Sequence, residues 1–277
     1  MPEEHDDLRR TVREGYAKVA RGSGSCCGQP SSCCGSASAE TTSRAVGYSD
    51  VELASIPDGS DLGLGCGNPV ALASLRPGET VLDLGSGAGI DCFLAAQKVE
   101  PTGRVIGVDM TPEMIEKARL NSEKVRVTNV QFRLGEIEHL PVSDGSVDVV
   151  ISNCVINLSP DKPQVFREAF RVLRPGGRLM VSDIVLDSPL PQGLLDSVGA
   201  YVGCISGASL KADYLAMMTA AGFSNVSVVS EERFPVEVTA SDPTLQALVH
   251  ESGLSVDELR TAAAGVRSVK VSAFKPK

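Results

Sequence analysis

Tryptophan is absent from this 277-residue chain, histidine occurs three times, and aromatic residues make up 4% of it. The histidines, His5, His139 and His250, are scattered, so the chain is poor in imidazole bases for proton transfer. Positive charge is also short. The 26 Lys and Arg stand against 35 Asp and Glu, a net charge of −9, which argues against a nucleic-acid backbone or an anionic membrane as partner. No apolar run approaches the roughly 18 residues of a membrane span. The charged stretch from Met1 to Arg21 lacks an apolar h-region, so no signal peptide is expected. These absences lead to the expectation of a soluble, cytoplasmic protein with reduced thiols. What the chain has is cysteine: eight residues, four of them paired as Cys26-Cys27 and Cys33-Cys34. For reduced thiols, metal, metalloid or redox chemistry competes with plain burial.

Residues 5–20 carry Leu8, Val12, Tyr16 and Val19 at helical spacing. Residues 21–45 turn to Gly, Ser, Pro and Cys, a composition that buries too little apolar surface to fold alone, so a mobile Cys-bearing arm is expected. From about residue 79 short apolar strands (ETVLDLG, RVIGVDM, VQFRLG, SVDVVIS, GRLMVSDI) alternate with helices. One helix opens at Thr111-Pro112-Glu113 with an N-cap residue, a proline at N1 and an acid in the first turn. Such alternation implies a parallel sheet covered on both faces, with ligands at the carboxyl ends of the strands near the switch point. A connection over 185–208, helices over 209–221 and 241–265, and the strands NVSVVSE and SVKVSAF are expected to complete and cover the same sheet.

VLDLGSGAGID places Gly85, Gly87 and Gly89 directly after the first strand, where backbone N–H groups meet a ligand at a helix N-terminus. The spacing is G-x-G-x-G with Ile90 next, so the third glycine of a dinucleotide fingerprint is missing. Asp109 ends the second strand, where a carboxylate takes both ribose hydroxyls. Asp83 precedes the loop, placed to organise the turn and to lie near a cationic ligand tail. This set resembles motif I and the ribose-binding acid of the class I S-adenosylmethionine methyltransferases. LGEIEHLP resembles their third-strand signature, which implies that Glu136 takes the adenine amino group and the Ile137 backbone pairs with the ring. VLRPGG at 172–177 resembles the turn before their fifth strand. Met110 and Asn153 complete the expected cofactor contacts. The expected fold is a doubly wound, mainly parallel α/β sheet of this Rossmann-like class. An N-terminal helix and arm (1–45) would precede a cofactor-binding core (46–184), and a small α+β extension (185–277) would cover the substrate site and complete the sheet.

The class leaves the acceptor open. A nucleic-acid amino methyltransferase would carry an Asn or Asp-Pro-Pro-aromatic tetrapeptide after the fourth strand, where this chain has Asn153-Cys154-Val155-Ile156. An oxygen methyltransferase needs a base or a metal. The cysteines offer another route. Cys66 lies in the glycine-bracketed turn GLGCGNP, Cys154 at the carboxyl end of the fourth strand, and Cys204 in the connection VGCISGAS, whereas Cys92 in the helix after the glycine loop reads as a core thiol. Three thiolates converging on a point make a soft, trigonal site. Zinc prefers four ligands and usually brings C-x-x-C pairs. Trivalent arsenic or antimony wants three sulfurs and keeps a lone pair that is itself the nucleophile, so no base is required.

GLGCGNP, DLGSGAGIDCF, GVDMTPEMI, SNCVINLSPDK, LRPGG with SDI, and VGCISGA are together similar to the arsenite S-adenosylmethionine methyltransferases, over about residues 46–230. The closing SVKVSAFKP is similar to their bacterial members. The resemblance implies that Cys154 and Cys204 bind As(III), with Cys66 as third ligand or redox partner and a fourth, N-terminal thiol completing the set. The family offers one such N-terminal Cys. This chain offers two pairs, of which Cys33 or Cys34 lies nearer the core, and the role of Cys26 and Cys27 stays open. It further implies S-adenosyl-L-methionine as cofactor, no metal cofactor, and arsenite or an arsenic-thiol conjugate as substrate. A disulfide between Cys66 and the N-terminal thiol would supply two electrons, restored by a thioredoxin or glutathione-type reductant. Two alternatives stand beside this reading: a methyltransferase for another small molecule, and a thiol protein that sequesters a metalloid without turnover.

Overall fold

The computed structural model describes residues 2–22, 39–195, 197, 201, 204–233 and 252–277. Residues 23–38, and with them Cys26, Cys27, Cys33 and Cys34, lie outside the described residues, as does 241–251 of the helical stretch expected over 241–265.

The strands are β1 (Thr80–Leu84), β2 (Arg104–Asp109), β3 (Val130–Leu134), β4 (Val147–Asn153), β5 (Leu173–Leu186), β6 (Ser224–Arg233) and β7 (Val266–Phe274). They form one sheet in the order β3-β2-β1-β4-β5-β7-β6. The first five are parallel; β7 enters antiparallel to β5, and β6 antiparallel to β7. The order reverses between β1 and β4, and there the carboxyl ends of adjacent strands diverge into a crevice. Between Val147↔Leu173 and Val149↔Arg178 the register slips, and the LRPGG turn is the excess that bows out, with Gly176 at φ +80°.

The helices are α1 (Pro2–Ala20), α2 (Ala39–Ala45), α3 (Asp50–Ala54), α4 (Pro69–Leu72), α5 (Ile90–Val99), α6 (Pro112–Val125), α7 (Lys162–Val172), α8 (Gln192–Leu195), α9 (Lys211–Ala220) and α10 (Val256–Ala264). One face of the sheet packs on α7 and α9 through Val165, Phe166, Ala169, Tyr214 and Met218. The other packs on α5 and α6 through Phe93, Leu94, Ile115 and Ala118. Both faces being covered accounts for near-continuous apolar strands such as β4, in which all but the second and last residues are buried. A third apolar cluster gathers Val12 of α1, Leu194 of α8 and Leu259 of α10 around Cys66, Cys154 and Cys204.

The sequence groups α1 with the arm, but α1 is part of the folded body. Val12 is 1% exposed, Arg21 pairs with Glu113 of α6, and Lys117 donates to the Ala20 carbonyl at 3.3 Å. No helix among the described residues is long and apolar enough to cross a membrane.

Candidate active site

The turn from β1 into α5 closes through three positive-φ glycines, Gly85 (+69°), Gly87 (+52°) and Gly89 (+102°). A Cβ on Gly89 would sit 2.7 Å from Phe93 and 2.9 Å from Phe132, so both backbone and packing demand glycine there. Asp109 ties this loop to the end of β2: its carboxylate accepts from Gly87 N–H at 2.9 Å and Thr111 N–H at 2.8 Å. Burial raises the Asp109 carboxyl, while these N–H groups pull it the other way.

The loop borders a cavity at the switch point that is also lined by Arg9, Val12 and Tyr16 of α1. Ser60 Oγ, Asp61 Oδ2 and Ser86 Oγ are buried there with no hydrogen-bond partner among the described residues, and all three residues line the cavity. Convergent unsatisfied donors and acceptors fit a polar ligand. With Asp61, Asp91 and Asp109 all on the wall, they fit one that carries positive charge.

One end of this cavity is organised by Asn153, the last residue of β4. Its amide nitrogen lies 2.8 Å from the Gly67 carbonyl, 2.9 Å from Tyr48 Oη and 3.1 Å from Asp91 Oδ2, and its oxygen accepts the Cys66 N–H at 3.1 Å. Tyr48 in turn donates to Asp91 at 2.8 Å. Burial raises Asp91 to about 6 against the hydrogen bonds from Tyr48 and Asn153.

Of the cofactor residues named from sequence, Gly85, Gly87, Asp109, Met110, Ile137 and Asn153 line the cavity. Gly89 sits behind it as the N-cap of α5. Asp83 and Glu136 are not among the lining residues. Asp83 belongs to a strand buried on both faces, and its carboxylate accepts from Cys92 Sγ at 3.2 Å. Glu136 is turned toward α1, 3.6 Å from Arg9 Nε and 3.7 Å from Arg13 Nη2. Asp91 and Glu138 stand on the wall instead, and Glu138 accepts from Ser159 Oγ at 2.6 Å. Asp91 was open to sequence reading as the acid in the first turn of α5. Tyr48, Arg9 and Tyr16 were not, because nothing local marks which cavity they close.

Cys66 and Cys154 are joined in a disulfide with their Cα atoms 5.8 Å apart. This differs from both sequence expectations, a reduced trio and a Cys66 bond to an N-terminal thiol. The reason is local: Asn153 grips the backbone of the 65–67 turn, and Ser268 Oγ donates to the Cys66 carbonyl at 2.9 Å, so the turn lies on the end of β4. Cys204 is a free, buried thiol, and its Sγ donates to the Cys154 carbonyl at 3.0 Å. The group of donors within 4.8 Å of one another is Cys66, Cys154 and Asp183, without Cys204. Asp183, on β5, accepts from Asn157 Nδ2, Ile184 N–H and Tyr214 Oη, each at 2.9 Å. Burial carries its carboxyl up to about 7. Burial likewise pushes the Cys204 thiol up, with the charge of Asp183 adding to it. Cys154 (φ +56°) and Cys204 (φ +63°) are two of only six non-glycine residues with positive φ among the described residues. Each such conformation costs roughly 1–2 kcal/mol, and strain of this kind clusters at functional sites.

The comparisons with known proteins agree with this geometry. The family described as "Methyltransferase domain" matches residues 75–222. The arsenite methyltransferase of Halobacterium salinarum is 53% identical over 234 residues, 82% of this chain and 60% of that protein. The arsenite methyltransferase of Aquipseudomonas alcaligenes is 42% identical over 184 residues, 64% of this chain and 52% of that protein. The chain thus spans between half and two thirds of the length of these curated relatives. The crystal structure of an arsenic(III) S-adenosylmethionine methyltransferase from Chlamydomonas reinhardtii superposes with a TM-score of 0.62 at 33% identity, over 85% of this chain and 73% of that one. Cavity, topology and cysteine placement together with these likenesses identify the chain as a member of the methyltransferase-domain family and, within it, of the arsenite methyltransferases.

Proposed function

We propose that the chain transfers a methyl group from S-adenosyl-L-methionine to trivalent arsenic held by cysteine thiolates, converting arsenite to methylated arsenicals and so detoxifying arsenic. The observation that carries this reading is the position of Cys154. It borders the cavity of the glycine loop, is sulfur-bonded to Cys66, and lies under the thiol of Cys204. The bound cofactor supplies an electrophilic methyl on a sulfonium. Asp109 would hold the ribose, the Ile137 backbone the adenine, and the Asp61–Asp91–Asn153 end the charged amino-acid tail. Asp83 and Glu136 then act one layer back, on the loop and on α1.

With the disulfide reduced, Cys66, Cys154 and Cys204 serve as the arsenic ligands. Each thiol that replaces a hydroxyl on arsenic releases water, so no net proton has to leave the site. The three cysteines are 4%, 6% and 4% exposed, and burial pushes the Cys204 thiol up, which suits such an exchange. The arsenic lone pair is the nucleophile, and the chain's part is to orient it and to exclude water. This reading requires no catalytic histidine and no resident metal. The Cys66–Cys154 bond is the oxidised form that follows when the two cysteines return arsenic to the trivalent state. Cys33 or Cys34 and a thioredoxin or glutathione-type reductant, in a cytoplasmic setting, then reopen it.

The test is S-adenosylhomocysteine release with and without arsenite, in the presence of a thiol. Cys154→Ser and Cys204→Ser should each abolish the arsenite-dependent release while S-adenosylmethionine still binds by calorimetry. Full turnover in both variants, or release that ignores arsenite, would point to another small-molecule acceptor. Arsenic binding without any release would make the chain a sequestering protein.

A further inference from the structure

The amide nitrogen of Asn153 has more partners than it has hydrogens. Its orientation is fixed by what surrounds it. The Cys66 N–H can only donate, so it faces Oδ1, whereas the Gly67 carbonyl can only accept, so it faces Nδ2. Asp91, with its carboxyl at about 6, is mostly ionised at pH 7 and also accepts only. Tyr48 gives its one hydroxyl hydrogen to Asp91 Oδ1 at 2.8 Å, so toward Asn153 it too is an acceptor. The Gly67 carbonyl, Tyr48 Oη and Asp91 Oδ2, at 2.8, 2.9 and 3.1 Å, therefore compete for the two hydrogens of Nδ2. This competition links two parts of the site. On one side Asp91 lines the cavity with Asp61, whose charge acts on Asp91 and whose Oδ2 is buried without a hydrogen-bond partner among the described residues. On the other side lies the Cys66 turn, packed so closely that a Cβ on Gly65 would sit 2.6 Å from Asn153 Nδ2 and one on Gly67 1.7 Å from Ser182 Oγ.

We propose that Tyr48 and Asn153 are positioning residues that couple a cationic amino group at the Asp61–Asp91 end of the cavity to the backbone of the Cys66 turn. The proposal rests on the methyl-donor reading above and adds to it a link from the donor's amino-acid tail to a substrate cysteine. A cation at Asp91 draws on the lone pairs of Oδ2 and weakens their pull on the Asn153 amide. The hydrogen so released goes to the Gly67 carbonyl. Asn153 then holds the turn at both ends, through Gly67 by its nitrogen and through the Cys66 N–H by its oxygen. Without a cation the three acceptors share two hydrogens, and the grip on the turn is weaker. Linkage makes the effect reciprocal: whatever orders the turn tightens the cationic ligand by the same factor. The methyl donor and the Cys66 ligand are thereby brought into place together, with no bond or proton exchanged.

The experiment follows amide hydrogen exchange, by peptide mass mapping of the full chain, in the peptide that carries Gly65, Cys66 and Gly67. Two probes are compared at saturation, with binding checked by calorimetry. S-adenosylhomocysteine carries the amino-acid tail; methylthioadenosine has the same nucleoside and a thioether but no tail. We expect S-adenosylhomocysteine to slow exchange of this peptide about three- to tenfold, the worth of one hydrogen bond, and methylthioadenosine to leave it unchanged. In Tyr48→Phe two acceptors meet two hydrogens, so exchange should run at one rate with and without S-adenosylhomocysteine while calorimetry still records its binding. Equal protection by both probes, protection by neither, or undiminished tail-dependent protection in Tyr48→Phe would overturn the proposal. The comparison of the two probes on the parent chain decides it even where the variant fails to fold. Arsenite methylation is assayed in parallel. Its failure beside intact tail-dependent protection strikes the proposed acceptor and leaves the coupling standing.

Discussion

Asp183 makes a measurable prediction about stability and pH. Its carboxyl is fully buried and held by three hydrogen bonds, yet burial carries it from the ordinary 3.8 up to about 7. A carboxyl raised in the folded state gives stability that is fully present below the unfolded value and lost as pH rises through the folded value. From 3.8 to about 7 the folded chain holds a proton that the unfolded chain has released, so this group lowers stability as pH climbs. At 1.36 kcal/mol per pH unit the full effect is about 4 kcal/mol. Between pH 5 and pH 8 the linkage relation assigns about 2.5 kcal/mol of that to Asp183. Asp183→Asn keeps an acceptor for Asn157 and Ile184 and removes the titration. Urea unfolding of both proteins at pH 5, 6, 7 and 8 isolates this carboxyl from Asp91 and Asp109, which titrate alike in the two. The variant should gain about 2.5 kcal/mol on the parent over that span. A stability difference that stays constant from pH 5 to pH 8 would refute the argument.

Other expectations follow from the same geometry. Gly89→Ala puts a Cβ 2.7 Å from Phe93 at φ +102°, so we expect a loss of about 1–3 kcal/mol in thermal unfolding and loss of S-adenosylmethionine binding by calorimetry. Asn153→Ala removes the hydrogen bond to Asp91 Oδ2, leaving Asp91 only that from Tyr48, and frees the Cys66 turn. It should cost about 1–3 kcal/mol in urea unfolding and raise the reactivity of Cys66 and Cys154 toward alkylating reagents after reduction.

The parallel part of the sheet was open to reading because β1, β2 and β4 are short, mostly buried apolar runs, and β1 and β3 each end at a glycine. Thr111-Pro112-Glu113 marked the start of α6 to the residue. Gly85, Gly87 and Asp109 line the cavity because each directly follows or ends a parallel strand, β1 or β2, at its carboxyl end. Glu136 went to α1 instead of the cavity wall because Arg9 and Arg13 reach it from more than a hundred residues away, and no local pattern carries that. Residues 174–177 read as a turn and are one, but the backbone pairs on both sides of them, so a single long strand spans the slip.

By itself the sequence determined the strand–helix alternation, the glycine loop with its acid, and the place of Cys154 at the end of β4, on the crevice. All of these follow from short-range pattern: apolar periodicity, φ preference and capping. Only the tertiary structure decided which groups meet. It made α1 a wall of the cavity, placed Asp91 and Glu138 on the cavity wall and left Asp83 and Glu136 off it, and set Asp183 beside the sulfurs. It also paired Cys66 with Cys154. Contacts of this kind join residues far apart in the chain, and they are set by how layers pack and by which buried polar groups find partners, quantities that no window of the sequence contains.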